Sequence, residues 1–241
     1  LFLLPHVKFE KLKLQPNGAS YTAEIDELKA SPSLLSLIPW TGKFSPSVSF
    51  SGKAYGSAFS GAAAPQGGDF SLSLENADLV KVVPLVELGH NLKGLIQSLE
   101  ADFSMENSRL SKLSGTITAK GNRLIVDPSE FQNLLPLPIL DLGGLDLSAK
   151  ATQGKLVIDR LILGSPGKDL EVKVTGDIQL ADYLQQSRLN LKVSIKPSAK
   201  VLAAVPKLPN LLSFVAAPKP DGSFAMKISG PMMGTTPQPD K

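Results

Sequence analysis

The sequence predicts a mainly β protein, built as one elongated, curved antiparallel sheet that forms a taco-like groove or a partly open barrel, with a few short helices. The first observation is a two-residue period between positions 145 and 197, where apolar side chains alternate with charged or hydroxylic ones. That period is typical of strands with one buried face. The second is that turn residues separate the runs, at 153–154 and 165–169. Together they favour consecutive antiparallel strands of one sheet.

The amino-acid composition excludes several kinds of functional site and disfavours several kinds of ligand. The 241 residues suffice for one large all-β domain or two small ones. The absence of cysteine excludes disulfides, thiolate catalysis and cysteine zinc sites. The 25 basic and 22 acidic residues are scattered, so the net charge of +3 forms no footprint for nucleic acid. Aromatic residues are only 6%, which disfavours carbohydrate or single-strand nucleic-acid binding.

The ends of the chain differ from its body. Residues 1–4 are apolar and precede Pro5; they are interpreted as the remnant of an N-terminal membrane anchor, as the start of a first strand, or as a cloning boundary. Residues 5–230 are predicted to form a single β-rich domain. Residues 231–241 are rich in Pro, Thr and Gly and are predicted to be disordered.

The N-terminal elements follow from local patterns. A first strand over 7–14, with a slip at Lys11, is predicted to pair with a second over 21–26 through the turn at Asn17. Ser31 and Pro32 are predicted to open a short helix that ends at Pro39.

A weak strand pair follows, marked by the apolar residues Val48, Phe50, Ala54 and Ala58. Its interruptions at Gly52, Gly56 and Gly61 favour bulges or an edge position.

The middle of the chain alternates strands with short helical segments. Strands are predicted around 70–74 and 98–106, with a short capped helix after Asp78. Residues 113–126 are predicted to form a hairpin that turns at 120–123, and a helical turn is predicted to start at Asp127.

The C-terminal part continues this pattern. The strands of 145–197 are briefly interrupted at 181–184. A helix is predicted to follow Ser198, and a last strand covers 224–228.

A six-residue unit, apolar-x-x-apolar-apolar-Pro, occurs four times and ends at Pro39, Pro84, Pro136 and Pro206. Its unequal spacing excludes a strict solenoid. Two interpretations remain open: a copied unit of strands followed by a helical plug, or chance matches in a leucine-rich chain.

The chain offers no constellation of catalytic residues. His6 and His90 lack acidic or cysteine neighbours at metal-ligand spacing, and the carboxylates fall on polar strand sides or at helix starts. The glycines of 61–68 and 143–144 lack phosphate-loop spacing. The prediction is a protein that is not an enzyme, with no catalytic, metal or cofactor site.

The apolar face of the central strands is the candidate site, because it must be buried against helices, another sheet or a ligand. An incompletely filled curved sheet would suit an acyl chain or an apolar partner segment. The alternative is a fully packed sandwich core. The candidate groove residues are Leu147, Ala149, Leu156, Ile158, Val172, Val174, Leu191 and Val193.

Three segments carry a resemblance to a known family: FSLSLENADLVKVVP at 70–84, LSGTITA at 113–119, and LDLSAKATQGKLVID at 145–159 leading into GDI at 176–178. They resemble the type II secretion system protein N family, itself similar to AsmA-like and TamB-like envelope proteins. The likeness covers about 5–230 and lies in the order of elements rather than in one motif.

That resemblance implies a periplasmic domain of a Gram-negative bacterium, anchored to the inner membrane by an N-terminal helix. It implies a non-enzymatic accessory component of type II protein secretion, whose partners are other secretion components, and which holds phospholipid or another acyl lipid in its groove. The alternative is an AsmA-like lipid-binding or lipid-transfer protein. The chain is shorter than large AsmA-like bridges. A surface adhesion module would want exposed aromatic or acidic sites that the sequence does not offer.

Overall fold

One open antiparallel sheet dominates the protein. The structure is a computed structural model, and it describes residues 7–14, 23–32, 47–54, 56–64, 68–81, 91–128 and 137–240. Strands account for 66% of these residues, and the 14-stranded sheet does not close. The predicted mainly β class is confirmed.

Long strands form the body of the sheet and two-residue strands cover one edge. The strands are β1 Val7–Leu14, β2 Ala23–Pro32, β3 Val48–Ala54, β4 Ser57–Ala63, β5 Asp69–Asp78, β6 Asn91–Met105, β7 Leu113–Asp127, β8 Leu140–Thr152, β9 Lys155–Leu163, β10 Leu170–Gln179, β11 Arg188–Pro197, β12 Ala217–Pro218, β13 Phe224–Pro231 and β14 Gln238–Pro239. The α-helices in the described part of the chain are α1 Ala199–Ala204 and α2 Leu208–Ser213.

The topology is a meander. Each strand from β1 to β11 pairs antiparallel with its neighbour in the chain, and β13 then pairs with β11. Both β12 and β14 pair with β13 on its other side. Tight turns make this order possible, as at Gln153 and Gly154, whose φ angles of 48° and 78° suit a two-residue hairpin connection.

The N-terminal pairing is confirmed, but the helix predicted from Ser31 is wrong at its start. Lys11 has a φ of 55°, at the predicted slip in β1. Ser31 and Pro32 continue β2 and pair with Ser49 and Val48. A proline is tolerated at the end of a strand, so the local helix signal yields to strand pairing. The turn at Asn17 and the rest of that helix lie outside the described residues.

Gly52 and Gly61 are not bulges, since β3 and β4 pair without a register shift. Gly52 lies opposite Phe59, and Gly61 lies opposite Phe50. A β-carbon on Gly52 would come within 2.8 Å of the Phe59 ring and would collide with the Glu27 carbonyl oxygen. These glycines therefore make room for aromatic rings inside the sheet.

The hairpin predicted over 113–126 is wrong, because these residues form the single strand β7. Gly121 pairs with Leu145 and Leu124 pairs with Gly143, so three steps on β7 match two on β8. Arg123 takes up the excess with a φ of 52°. The turn-like residues make a bulge because both flanking segments keep the same neighbours, β6 and β8.

The helical units are only partly within the described residues. The unit that ends at Pro206 forms α1, and the Ser198 hydroxyl accepts a hydrogen bond from the Val201 N–H at 3.3 Å. The unit that begins at Leu79 opens as a 3₁₀ turn, Leu79–Lys81. Asp127 ends β7 instead of opening a helix. The units that end at Pro39 and Pro136 lie outside the described residues.

The C-terminal segment does not fit the prediction of disorder. Pro231 belongs to β13, and β14 pairs with Met226 and Lys227. The Asp240 N–H also donates to the Ala225 carbonyl at 3.1 Å. The segment forms backbone hydrogen bonds with the open edge of β13, although its composition disfavours a strand. Local sequence patterns do not contain this pairing between separate segments.

Candidate functional site

One face of the sheet is apolar across twelve strands. Residues directly opposite each other in paired strands lie on the same face, so the register defines rows that cross the sheet. The first row is Phe9, Leu28, Gly52, Phe59, Leu74, Leu99, Ala119, Leu147, Leu161, Val174, Val193 and Met226. The second row is Val7, Ala30, Phe50, Gly61, Leu72, Ala101, Ile117, Ala149, Ile158, Gly176, Leu191 and Ile228. Neither row contains a polar side chain.

The eight predicted groove residues lie on this face. Leu147, Val174 and Val193 belong to the first row, and Ala149, Ile158 and Leu191 belong to the second. Leu156 and Val172 lie in the flanking rows, opposite Ile178 and Ile195 respectively. Ala149 is buried, and the other seven are half-buried. The structure brings the set together, and its role as a groove stays a prediction.

Sequence reasoning missed Leu161 and Leu163, which belong to the same face. Ile158 pairs with Ala149 and Arg160 pairs with Ser148, so Asp159 is an extra residue in β9. This bulge shifts the alternation by one and returns Leu161 to the apolar side. The adjacent polar residues Asp159 and Arg160 interrupt the two-residue alternation, and this interruption was the sequence signal for the bulge.

Two short helices cover one margin of the apolar face. Val201 of α1 is 1% exposed and belongs to a cluster that includes Leu145, Leu163 and Leu170. Leu212 of α2 and Val215, together with Val193 and Ile195 of β11, pack against Ala216, Phe224 and Met226. At this margin the face is a packed core, which includes the predicted groove residue Val193. Away from this margin the larger side chains of the first row, such as Leu74, Leu99, Leu147 and Val174, are half-buried.

A buried carboxylate fixes α1 to the sheet. Asp169 Oδ2 accepts the Asp141 N–H at 2.8 Å, and Lys200 Nζ lies 3.0 and 3.1 Å from the two carboxylate oxygens. The Asp141 N–H, together with the Lys200 ammonium, holds the pKa of Asp169 below its ordinary value, although burial opposes the shift. The Ser198 N–H also donates to the Asp169 carbonyl at 2.9 Å. This arrangement holds α1 in place against the sheet.

A second carboxylate ties two turns together at the other end of β10. Asp182 accepts the Ser111 hydroxyl at 2.6 Å and the Ser111 N–H at 3.1 Å, while Arg109 Nε and Nη2 each lie 2.8 Å from its other oxygen. These donors, the Ser111 hydroxyl foremost, lower the pKa of Asp182 to about 2. Because every bond favours the ionised form, Asp182 is a poor general acid or base.

The opposite face of the sheet is largely polar across β2 to β5. A depression of about 750 Å³ lies there across β2 to β5, and hydroxyl side chains dominate its lining. The lining residues are Lys29, Ser31, Ser49, Phe50, Ser51, Ser60, Gly61, Ala62 and Ser71. Over the described residues, no three His, Cys, Asp or Glu side chains are grouped as a metal site. His6 and His90 lie outside those residues.

Comparison with known proteins adds no relative. No family model, no curated protein and no solved structure matches the chain. None of the helices in the described ranges has the length and hydrophobicity that a membrane-spanning helix needs.

Proposed function

We propose that this protein is a non-enzymatic component of the Gram-negative envelope that holds the acyl chains of a lipid along its apolar face. The observation that carries this proposal is the pair of rows without a polar side chain across twelve strands. The resemblance to type II secretion protein N and AsmA-like proteins supports the same function.

The dimensions of the apolar face suit a lipid. Adjacent strands lie about 4.8 Å apart, so a row across twelve strands follows a path of roughly 50 Å. One acyl chain occupies about half of the roughly 30 Å hydrocarbon core of a bilayer, that is about 15 Å. A row is therefore long enough for several acyl chains, and half-buried side chains leave apolar surface to contact them.

The test is Val174→Glu, with Thr175→Glu as its matched control. Val174 is half-buried in the first row, and Thr175 is the next residue of β10 and is exposed. Organic extraction and native mass spectrometry of the purified chain should recover phospholipid or fatty acid from the wild type and from Thr175→Glu. Val174→Glu should fold and lose the lipid, because a carboxylate desolvated against acyl chains is unfavourable.

Two results would contradict this proposal. A wild-type protein without bound lipid in every preparation would show that the apolar face holds no lipid. Unfolding of Val174→Glu would favour a packed core.

A role in type II secretion through protein contacts is the second proposal, and the edge strand β1 supports it. Within the described part of the chain, the outer edge of β1 pairs with no strand, and Val7 and Phe9 are 57% and 45% exposed. An open edge can add a partner's strand through backbone hydrogen bonds.

Co-purification of the protein with type II secretion components from Gram-negative cells is expected under this proposal. Its absence from such complexes in detergent extracts would contradict it.

A further inference from the structure

The helix α2 presents two apolar side chains to solvent. Phe214, directly after the helix, is 79% exposed, and Leu211 is 47% exposed. They are three residues apart, so they lie on the same side of the helix and its last turn. Exposed apolar side chains are common singly, but a pair on one short helix forms a small apolar tip.

The other side of the same segment is firmly packed. Leu212 and Val215 contact the cluster formed by Ala216, Phe224 and Met226, and Ala216 is fully buried. These contacts anchor the segment to the sheet. Leu211 and Phe214 are therefore exposed in the folded segment. The sheet presents the tip rigidly, beyond the end of β11.

Basic side chains flank the tip along the chain. Residues 200–220 contain three basic side chains, Lys200, Lys207 and Lys219, and no acidic one. Lys200 is paired with Asp169. Lys207 and Lys219 bracket α2, and both are exposed. The nearest following carboxylate, Asp221, accepts the Ser223 N–H and hydroxyl at 3.1 and 2.7 Å and lies 3.9 Å from Lys196.

We propose that α2 docks this domain onto an anionic phospholipid bilayer, with Leu211 and Phe214 in the interfacial region and Lys207 and Lys219 against lipid phosphates. An apolar tip flanked by cations is the pattern of a peripheral membrane contact, since the apolar groups leave water while the ammonium groups stay at the headgroups. Two exposed side chains are too few for the core of a stable protein interface. This contact is distinct from binding of lipid along the apolar face.

The test is flotation of the 241-residue chain with vesicles of phosphatidylcholine alone, or with roughly one quarter phosphatidylglycerol. The wild type should float with the anionic vesicles and less so at high salt. The double variant Leu211→Ser, Phe214→Ser should lose about tenfold in partitioning, because two apolar side chains no longer leave water. Lys207→Gln, Lys219→Gln should lose binding to the anionic vesicles selectively.

Tyr183→Ser is the matched control. Tyr183 is 71% exposed and precedes β11, so it lies at the end of that strand opposite the helices. This variant should float like the wild type, and circular dichroism should show that all the variants keep the β fold.

Three outcomes would overturn the proposal: no flotation of the wild type, equal flotation of the double serine variant, or equal loss in Tyr183→Ser. Self-association that the serine variant abolishes, without a change in flotation, would assign the tip to a second copy instead. Lipid extraction separates this inference from the groove. The double serine variant should keep its extracted lipid, and Val174→Glu should keep its flotation.

Discussion

Asp169 and Asp182 lie at opposite ends of β10 and stabilise the sheet in different surroundings. The Asp169 side chain is 9% exposed and secures α1, whereas the Asp182 side chain is 36% exposed and joins two turns. Both accept backbone N–H groups as well as charged donors, an arrangement that favours the carboxylate over the acid. At the scale of single residues, these two carboxylates therefore support the fold.

The substitution Asp182→Asn tests this interpretation through pH. The folded-state pKa of Asp182 is about 2, below its ordinary value of 3.8. The stability that this carboxylate contributes is therefore fully present above pH 3.8 and is lost as the pH falls through about 2. Urea unfolding midpoints should show the wild type above the variant near neutral pH, with the gap closing in acid. A gap independent of pH would contradict this assignment.

At the scale of the element, glycines inside strands have a packing role. A β-carbon at Gly52 would collide with the Glu27 carbonyl oxygen and approach the Phe59 ring, whereas at Gly144 the nearest atom is the Ser165 hydroxyl at 3.0 Å. A hydroxyl can move aside, but a paired backbone carbonyl cannot without disturbing the ladder. The same residue type therefore has different tolerance in β3 and in β8.

The pair Gly52→Ala and Gly144→Ala makes this difference measurable. Overpacking at Gly52 should lower the free energy of unfolding by about 1–3 kcal/mol. The change at Gly144 should be small, because the loss of unfolded-state entropy offsets a minor adjustment of Ser165. Chemical denaturation of both variants measures their free energies of unfolding. Equal losses would show that the backbone at Glu27 shifts to accommodate the added β-carbon.

At the scale of the whole molecule, the meander makes stability uneven along the sheet. Each strand from β1 to β11 pairs with its neighbours in the chain, and the helices in the described ranges, α1 and α2, pack against strands from β6 to β13. The edge strand β1 has one described neighbour and exposes Val7 and Phe9. Strands with fewer buried contacts open more readily than those in the covered region.

Hydrogen exchange measured by mass spectrometry should follow this order. Amides of β1 should exchange before those of β8 to β10, because each of the latter strands is paired on both sides. Exchange of all strands at a single rate would instead show that the sheet opens as one cooperative unit.

Much of the fold was predictable because strand alternation is a local property. The two-residue period identified the central strands and the apolar face, and the apolar unit that ends at Pro206 identified α1. The candidate groove residues lie together for the same reason: side chains two apart share a face in any strand.

Other features depended on neighbouring strands. Gly121 to Arg123 carries a turn signal in isolation and becomes a bulge only because β6 and β8 continue past it. Leu161 returns to the apolar face only through the extra residue Asp159 in β9. The sequence alone thus determined which side chains alternate. The tertiary structure decided their register, and it decided that Val193 packs beside α2 against the buried Phe224 and Met226. The physical reason is that register and coverage arise from hydrogen bonds and contacts between distant segments, which local patterns do not contain.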